Sequence, residues 1–184
     1  AKKETEMLHK AIEQSGREIV LSLSPGPAIV EEAEFYKENA NMWRITDDFW
    51  DDWKFLYNMF DRCKNWQEHV SDGNYPDCDM LPLGYVGKGF GDERLTRFTK
   101  EEQVTMMNLW CMFRSPLMLG AEMTKLDDWT LGLLTNKNIL HLLESSYGAE
   151  EVYREDAFIV WMSRDIALDG SIVLPPHGSV MIKY

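Results

Sequence analysis

The chain of 184 residues carries 31 acidic and 19 basic side chains, a formal net charge of −12. That excludes a generic nucleic-acid binder, whose affinity comes from Lys and Arg neutralising phosphates. With 45% hydrophobic and 27% charged residues the composition is globular, and the length suits one domain or one and a part.

Residues 1–15 predict an amphipathic helix, with Met7, Leu8, Ala11 and Ile12 on one face and Gly16 as its stop. Ile19 to Ser24 is a short apolar run closed by Pro25-Gly26-Pro27, the pattern of a buried parallel strand. A polar helix is expected over Glu31–Ala40, then a second strand over Asn41–Asp47. The strand runs into a long helix whose Phe49, Trp53, Leu56, Phe60 and Cys63 recur at helical spacing.

Beyond the turn signal Asp72-Gly73-Asn74, a third strand is expected over Cys78–Gly84, with a loop of Gly87, Gly89 and Gly91 behind it. Thr99 with Glu102 forms a capping box for the next helix, which carries Val104, Met107, Trp110 and Cys111 on one side. Pro116–Gly120 reads as a fourth strand, and short helices follow near 127–134 and 139–144. Strands alternating with helices point to a parallel α/β sheet, whose ligand sites lie at the C-terminal strand ends. From about Gly148 the texture changes to Phe158–Met162 and Ser179–Ile182, both strand-like with no helix between them, so an all-β appendage is expected there.

Several chemistries lack support. The three cysteines, Cys63, Cys78 and Cys111, are odd in number and have no C-x-x-C spacing, so buried small apolar roles are expected rather than a zinc site or disulfide framework. His9, His69, His141 and His177 show no ligand spacing, and a structural or solvent role is expected for each. Ser22 and Ser24 have no nearby His to make a hydrolase nucleophile. No run of 18 apolar residues occurs and the N-terminus has no apolar leader stretch, so neither a membrane partner nor a secretion signal is read here.

The densest chemical cluster is Trp43-Arg44-Ile45-Thr46-Asp47-Asp48-Phe49-Trp50-Asp51-Asp52-Trp53. A strand end there delivers Arg44, Asp47 and Asp48 among aromatic residues, and a carboxyl between apolar walls and a second carboxyl suits general acid work. The same spacing also suits Asp47 as a helix cap with Asp51 and Asp52 as first-turn acids, and Arg44 as a structural ion-pair partner. In a second cluster, Asp77-Cys78-Asp79-Met80, strand alternation would point both acids the same way, toward a metal or sugar hydroxyls. A loop Asp making turn hydrogen bonds fits Asp77 equally well. A metal-dependent hydrolase on Asp47, Asp48, Asp77 and Asp79 has no His ligand to support it.

Trp43-Arg44 followed by Asp48 and Trp53, then Pro76-Asp77-Cys78-Asp79-Met80-Leu81, then Leu109-Trp110 with Arg114-Ser115-Pro116-Leu117-Met118, strongly resemble glycoside hydrolase family 27. That family holds α-galactosidases and α-N-acetylgalactosaminidases. The match runs over roughly residues 5–145. The resemblance implies the C-terminal half of a (β/α)8 barrel, about four parallel strands with helices, in residues 1–147. A shortened antiparallel β domain would follow in 148–184.

By position, Asp48 resembles the family's general acid/base, and Arg44 the arginine that holds the sugar beside it. Asp79 resembles a sugar-contacting acid and Met80 an apolar wall. Ser24 falls where specificity at the sugar C2 position is set, and there a small residue resembles the one that makes room for an N-acetyl group. The implied partner is a terminal α-galactoside or α-N-acetylgalactosaminide, with no cofactor and no metal; a secreted or periplasmic address is implied by resemblance alone. The nucleophilic Asp of the family lies upstream of the first helix read here, so this stretch alone is expected to be inactive. It is also expected to pair with the remaining half barrel or to self-associate. The competing reading is a non-catalytic carbohydrate-binding or structural half-barrel fragment.

Overall fold

The computed structural model describes residues 2–24, 26–86, 93–156, 158–163 and 177–180. Its centre is a three-stranded parallel sheet of β1 (Ser22–Leu23), β2 (Met42–Arg44) and β3 (Tyr75–Asp77), in the order β1-β2-β3. The register sets Leu23 beside Trp43, Trp43 beside Pro76 and Arg44 beside Asp77. A further parallel step joins Leu81 to Leu119 as an isolated bridge.

The helices are α1 (Lys2–Ser15), α2 (Ala33–Asn39, entered through a 3-10 turn at Val30–Glu32), α3 (Trp53–Trp66), α4 (Lys100–Phe113), α5 (Asp128–Leu134) and α6 (Lys137–Ser145). Period-two alternation in β2 sends Trp43 into the helix layer, where it stacks on Tyr36 of α2 at 5.7 Å and packs against Trp66 of α3 at 5.9 Å. The buried stripe of α3, Leu56, Met59, Cys63 and Trp66, recurs every three to four residues and faces the same core. Helix α4 is buried almost all round: the Thr99–Glu102 capping box starts it and Arg114, at φ +63°, ends it.

Four sequence expectations need correction. The third strand lies at 75–77 rather than 78–84: Asp79 takes φ +73° and Pro82 follows, so the chain leaves the ladder as soon as β3 ends. Pro116–Gly120 contributes only the bridge at Leu119. The run Ile19–Ser24 is parallel but not buried: only Ser22 and Leu23 pair, on the β2 side, and Val20 is 71% exposed. The long helix spaced from Phe49 starts only at Trp53, with Phe49 buried ahead of it; α1 stands as expected, and none of its residues is buried.

The C-terminal appendage is an antiparallel hairpin of β6 (Glu150–Glu155) and β7 (Phe158–Met162). Another small hairpin, β4 (Tyr85–Val86) with β5 (Arg94–Leu95), stands between the sheet and α4. The expected glycine loop at Gly87, Gly89 and Gly91 lies outside the described residues, as do Met181 and Ile182. Ser179 and Val180 are described and are not strand.

Candidate active site

The strands deliver their last residues to one end of the sheet, and the acidic clusters meet there. Arg44 closes β2 with a mostly buried side chain. Its Nη1 lies 2.9 Å from Asp48 Oδ1 and 3.5 Å from Asp79 Oδ1, so one guanidinium nitrogen joins two carboxylates from different loops. Asp48 stands free on its other side, with 71% of its side chain exposed. Arg44 Nε is buried with no partner among the described residues, the kind of uncompensated polar group that clusters at functional sites.

Asp79 is held more tightly. Its Oδ2 accepts the Phe49 amide at 2.7 Å, its own amide donates to Asp77 Oδ1 at 2.9 Å, and its carbonyl accepts from Trp110 Nε1 at 3.2 Å. Met80 beside it packs over Gly120, where an added Cβ would come within 2.5 Å of the Met80 sulfur. Ser24 is exposed directly after β1, whose Leu23 pairs with Trp43, one residue before Arg44. Arg44, Asp48 and Asp79 are therefore brought together, Met80 lines the turn beside them, and Ser24 sits one strand away.

Asp77 is buried, and burial pushes its carboxyl up to about 6, opposed by the Asp79 amide bond and by Arg44, while the Asp79 charge adds to the rise. Asp77 does not continue an unbroken alternation with Asp79, which takes φ +73°. It makes an i to i+2 side-chain turn instead. One cation thus faces three carboxyl groups, a balance suited to sugar hydroxyls and to a developing oxocarbenium charge. Among the described residues no three His, Cys, Asp or Glu side chains form a metal-holding group.

The neighbouring acids divide differently from their spacing. Asp52, not Asp47, caps α3, by accepting the Lys54 amide. Asp51 is 3% exposed and takes both terminal nitrogens of Arg94 and the Arg97 amide, which pins the 46–52 loop to β5. Burial raises its carboxyl, and the Arg94 and Arg97 bonds more than reverse this, leaving it below the usual range.

Two of the nearby tryptophans are engaged elsewhere. Trp43 is wholly core, and Trp53 stacks on His177. His177 in turn bonds Glu102, a structural role. The pairing of Asp51 with Arg94 and of Trp53 with His177 left no sequence signal, because each joins residues more than 40 positions apart.

Known proteins resemble the chain in sequence and fold. The family model described as alpha galactosidase A (melibiase) matches residues 1–144. A family 27 β-L-arabinopyranosidase of Geobacillus stearothermophilus is 55% identical with a TM-score of 0.86, covering 89% of this chain and 39% of its own. A putative alpha-N-acetylgalactosaminidase of Bacillus halodurans is 48% identical with a TM-score of 0.69, over 88% of this chain and 38% of its own. Among curated sequences, alpha-galactosidase 2 of Arabidopsis thaliana is 29% identical over 156 residues, 84% of this chain and 37% of that protein. The chain spans little more than a third of the length of these relatives.

Proposed function

The chain belongs to the alpha galactosidase A (melibiase) family, glycoside hydrolase family 27, and from that premise we propose that it supplies the acid/base half of a retaining glycosidase. Its substrate class is a terminal sugar of α-galactose configuration. Asp48 is the general acid/base, Arg44 orients it and holds the sugar, Asp79 accepts sugar hydroxyls, Met80 forms an apolar wall, and Ser24 borders the C2 substituent. The observation that carries this reading is the single Arg44 nitrogen bridging Asp48 and Asp79 at the ends of parallel strands.

The roles divide by accessibility. Asp48 is the open carboxyl, free to donate a proton to a leaving oxygen and later to take one from water. Asp79 has both oxygens engaged, by Arg44 and by the Phe49 amide, which suits holding and not attack. Retaining hydrolysis needs a second carboxylate about 5 Å from the first. We place that nucleophile in the part of the relatives' length that this chain does not span.

Residues 1–147 are then part of a (β/α)8 barrel and 148–184 a shortened C-terminal antiparallel β domain. The exposed β1 edge and the uncovered face of α1 suit pairing with the rest of the barrel, or failing that self-association. Light scattering that gives a well-behaved monomer counts against this pairing.

The identity to an arabinopyranosidase favours one refinement. β-L-Arabinopyranose has the ring configuration of α-D-galactopyranose without the exocyclic hydroxymethyl group. Both aryl glycosides therefore belong in the test.

The isolated chain is expected to release no aglycone from either, whereas the whole reading frame containing it should turn over at least one. In the whole enzyme Asp48→Asn should lose about 10²–10⁴-fold on substrates with poor leaving groups, with azide restoring release of an activated aryl group. Turnover by the isolated chain that Asp48→Asn abolishes would overturn the missing-nucleophile reading.

A further inference from the structure

Asp79 is a non-glycine residue at φ +73°, a conformation that costs about 1 kcal/mol or more unless its surroundings enforce it. Its neighbours do enforce it. The Asp79 amide points back at Asp77 Oδ1, its carbonyl is held by Trp110, and its carboxylate is thereby carried off the strand direction onto the Phe49 amide and Arg44. Asp77 itself closes β3 directly beside Arg44, and its carbonyl accepts the Ile45 amide at 2.9 Å.

We propose that Asp77 is the positioning residue of this site: by accepting the Asp79 amide it holds the left-handed turn that sets Asp79 against Phe49 and Arg44, and so aligns Arg44 on Asp48. It touches neither substrate nor the reacting atoms. The inference rests on the reading above only in taking Arg44, Asp48 and Asp79 as the sugar-holding set. The contact chain through Asp77 stands on hydrogen-bond geometry and the φ of Asp79.

The charged groups that act on the Asp77 carboxyl among the described residues are Arg44 from β2 and Asp79 from its own turn. Arg44 also carries Asp48, so a change at Asp77 reaches the acid/base through one side chain. With burial already raising the carboxyl to about 6, its acceptor strength changes within the range where glycosidases commonly work. An Asn at this position keeps an acceptor oxygen but cannot titrate; an Ala keeps neither.

The test uses the 184-residue chain and reads amide protons by NMR, with no need for turnover. In the parent chain the Asp79 and Phe49 amide signals should move through a step centred near pH 6. Asp77→Asn should remove the step and keep both amides protected from exchange. Asp77→Ala should speed exchange at both by about tenfold or more, leaving the Glu102 capping amide on α4 unchanged. Titration with D-galactose or L-arabinose, followed at the same signals, should weaken about tenfold in Asp77→Ala and be restored in Asp77→Asn.

Unchanged Phe49 exchange in Asp77→Ala would overturn the proposal. So would a pH step that survives in Asp77→Asn, an arm that decides the matter even if the Ala variant does not fold. If both amide results hold but neither sugar binds the parent chain, Asp77 still positions the turn, and what fails is sugar holding by this part of the enzyme alone.

Discussion

His177 lies flat against Trp53, with ring centroids 3.8 Å apart and planes within 2°. Its Nδ1 is 2.7 Å from Glu102 Oε1, its carbonyl accepts from Thr105, and Ser179 Oγ accepts from Asn108. The segment 177–180 is thereby fastened to the start of α3, just beyond the loop that carries Asp48, and along the first three turns of α4. An aromatic pair of this kind contributes about 1 kcal/mol beyond its burial. His177→Ala should lower the unfolding free energy by about 1–2 kcal/mol, read by denaturant titration, and should speed proteolytic cleavage near the C-terminus. An unchanged midpoint would mean the stack contributes nothing.

Asp51 ties the loop that carries Asp48 to β5. Asp51→Ala leaves Arg94 and the Arg97 amide without their acceptor and should cost about 2–3 kcal/mol. That is at or below the low end of the roughly 3–5 kcal/mol for a broken buried pair, because Arg94 keeps some contact with water. The sign with pH is the ordinary one for a carboxylate held below its free value. Its stabilisation is present above the unfolded value of 3.8 and is lost as pH falls through the lower folded one. Thermal melts from pH 7 to 2 should show the parent chain converging on Asp51→Ala at the acid end.

Asp77 has the opposite sign. Its folded carboxyl is raised to about 6 from 3.8, so its favourable contribution is full below 3.8 and is lost as pH rises through 6. Ionisation there therefore works against folding by up to about 3 kcal/mol, reduced in practice by relaxation around the group. Asp77→Asn should melt higher than the parent chain at pH 7–8, with the difference shrinking toward pH 4. A stability gain that leaves the sugar site intact only in the Asn form is what a positioning carboxylate predicts.

The three thiols should be inert. Cys63 and Cys78 are fully buried with sulfurs 3.6 Å apart, burial and the neighbouring thiol hold Cys63 well up, and burial pushes Cys111 up to about 12. A thiol-specific chromogenic disulfide should label none in the native chain and all three after denaturation. Rapid labelling in native buffer would contradict this packing.

Gly120 faces Met80 too closely for any side chain, since an added Cβ would lie 3.1–3.2 Å from Met80 Cγ and Cβ as well as against the sulfur. Gly120→Ala should cost about 1–3 kcal/mol by overpacking. It should also weaken sugar binding, because Met80 adjoins Asp79. Equal sugar affinity in the variant would show that Met80 is not a wall of the site.

The sequence by itself determined most of the helices, because periodic apolar stripes and caps are local: α1 and the Thr99–Glu102 box stand where spacing placed them, while α3 starts at Trp53, about one turn later than the spacing from Phe49 predicts. It also determined which residues resemble a known site, Arg44, Asp48, Asp79, Met80 and Ser24, because short-range motifs carry that resemblance. The tertiary structure decided where the ladder ends. Period-two alternation at 77–79 predicts two acids side by side, and only the contacts from Phe49, 30 positions away, and Trp110, 31 positions away, bend Asp79 into a left-handed turn. It also decided which acid does what. Asp47, Asp48, Asp51 and Asp52 are equivalent in a sequence window, and they part company when Arg44 reaches Asp48, Arg94 reaches Asp51 and the α3 amides reach Asp52. Of these partners only Arg94 is distant in the chain, 43 residues from Asp51, and that bond forms only once the loop and β5 have packed; Arg44 and Lys54 lie four and two residues from theirs, and which acid each reaches is settled where β2 ends and α3 begins.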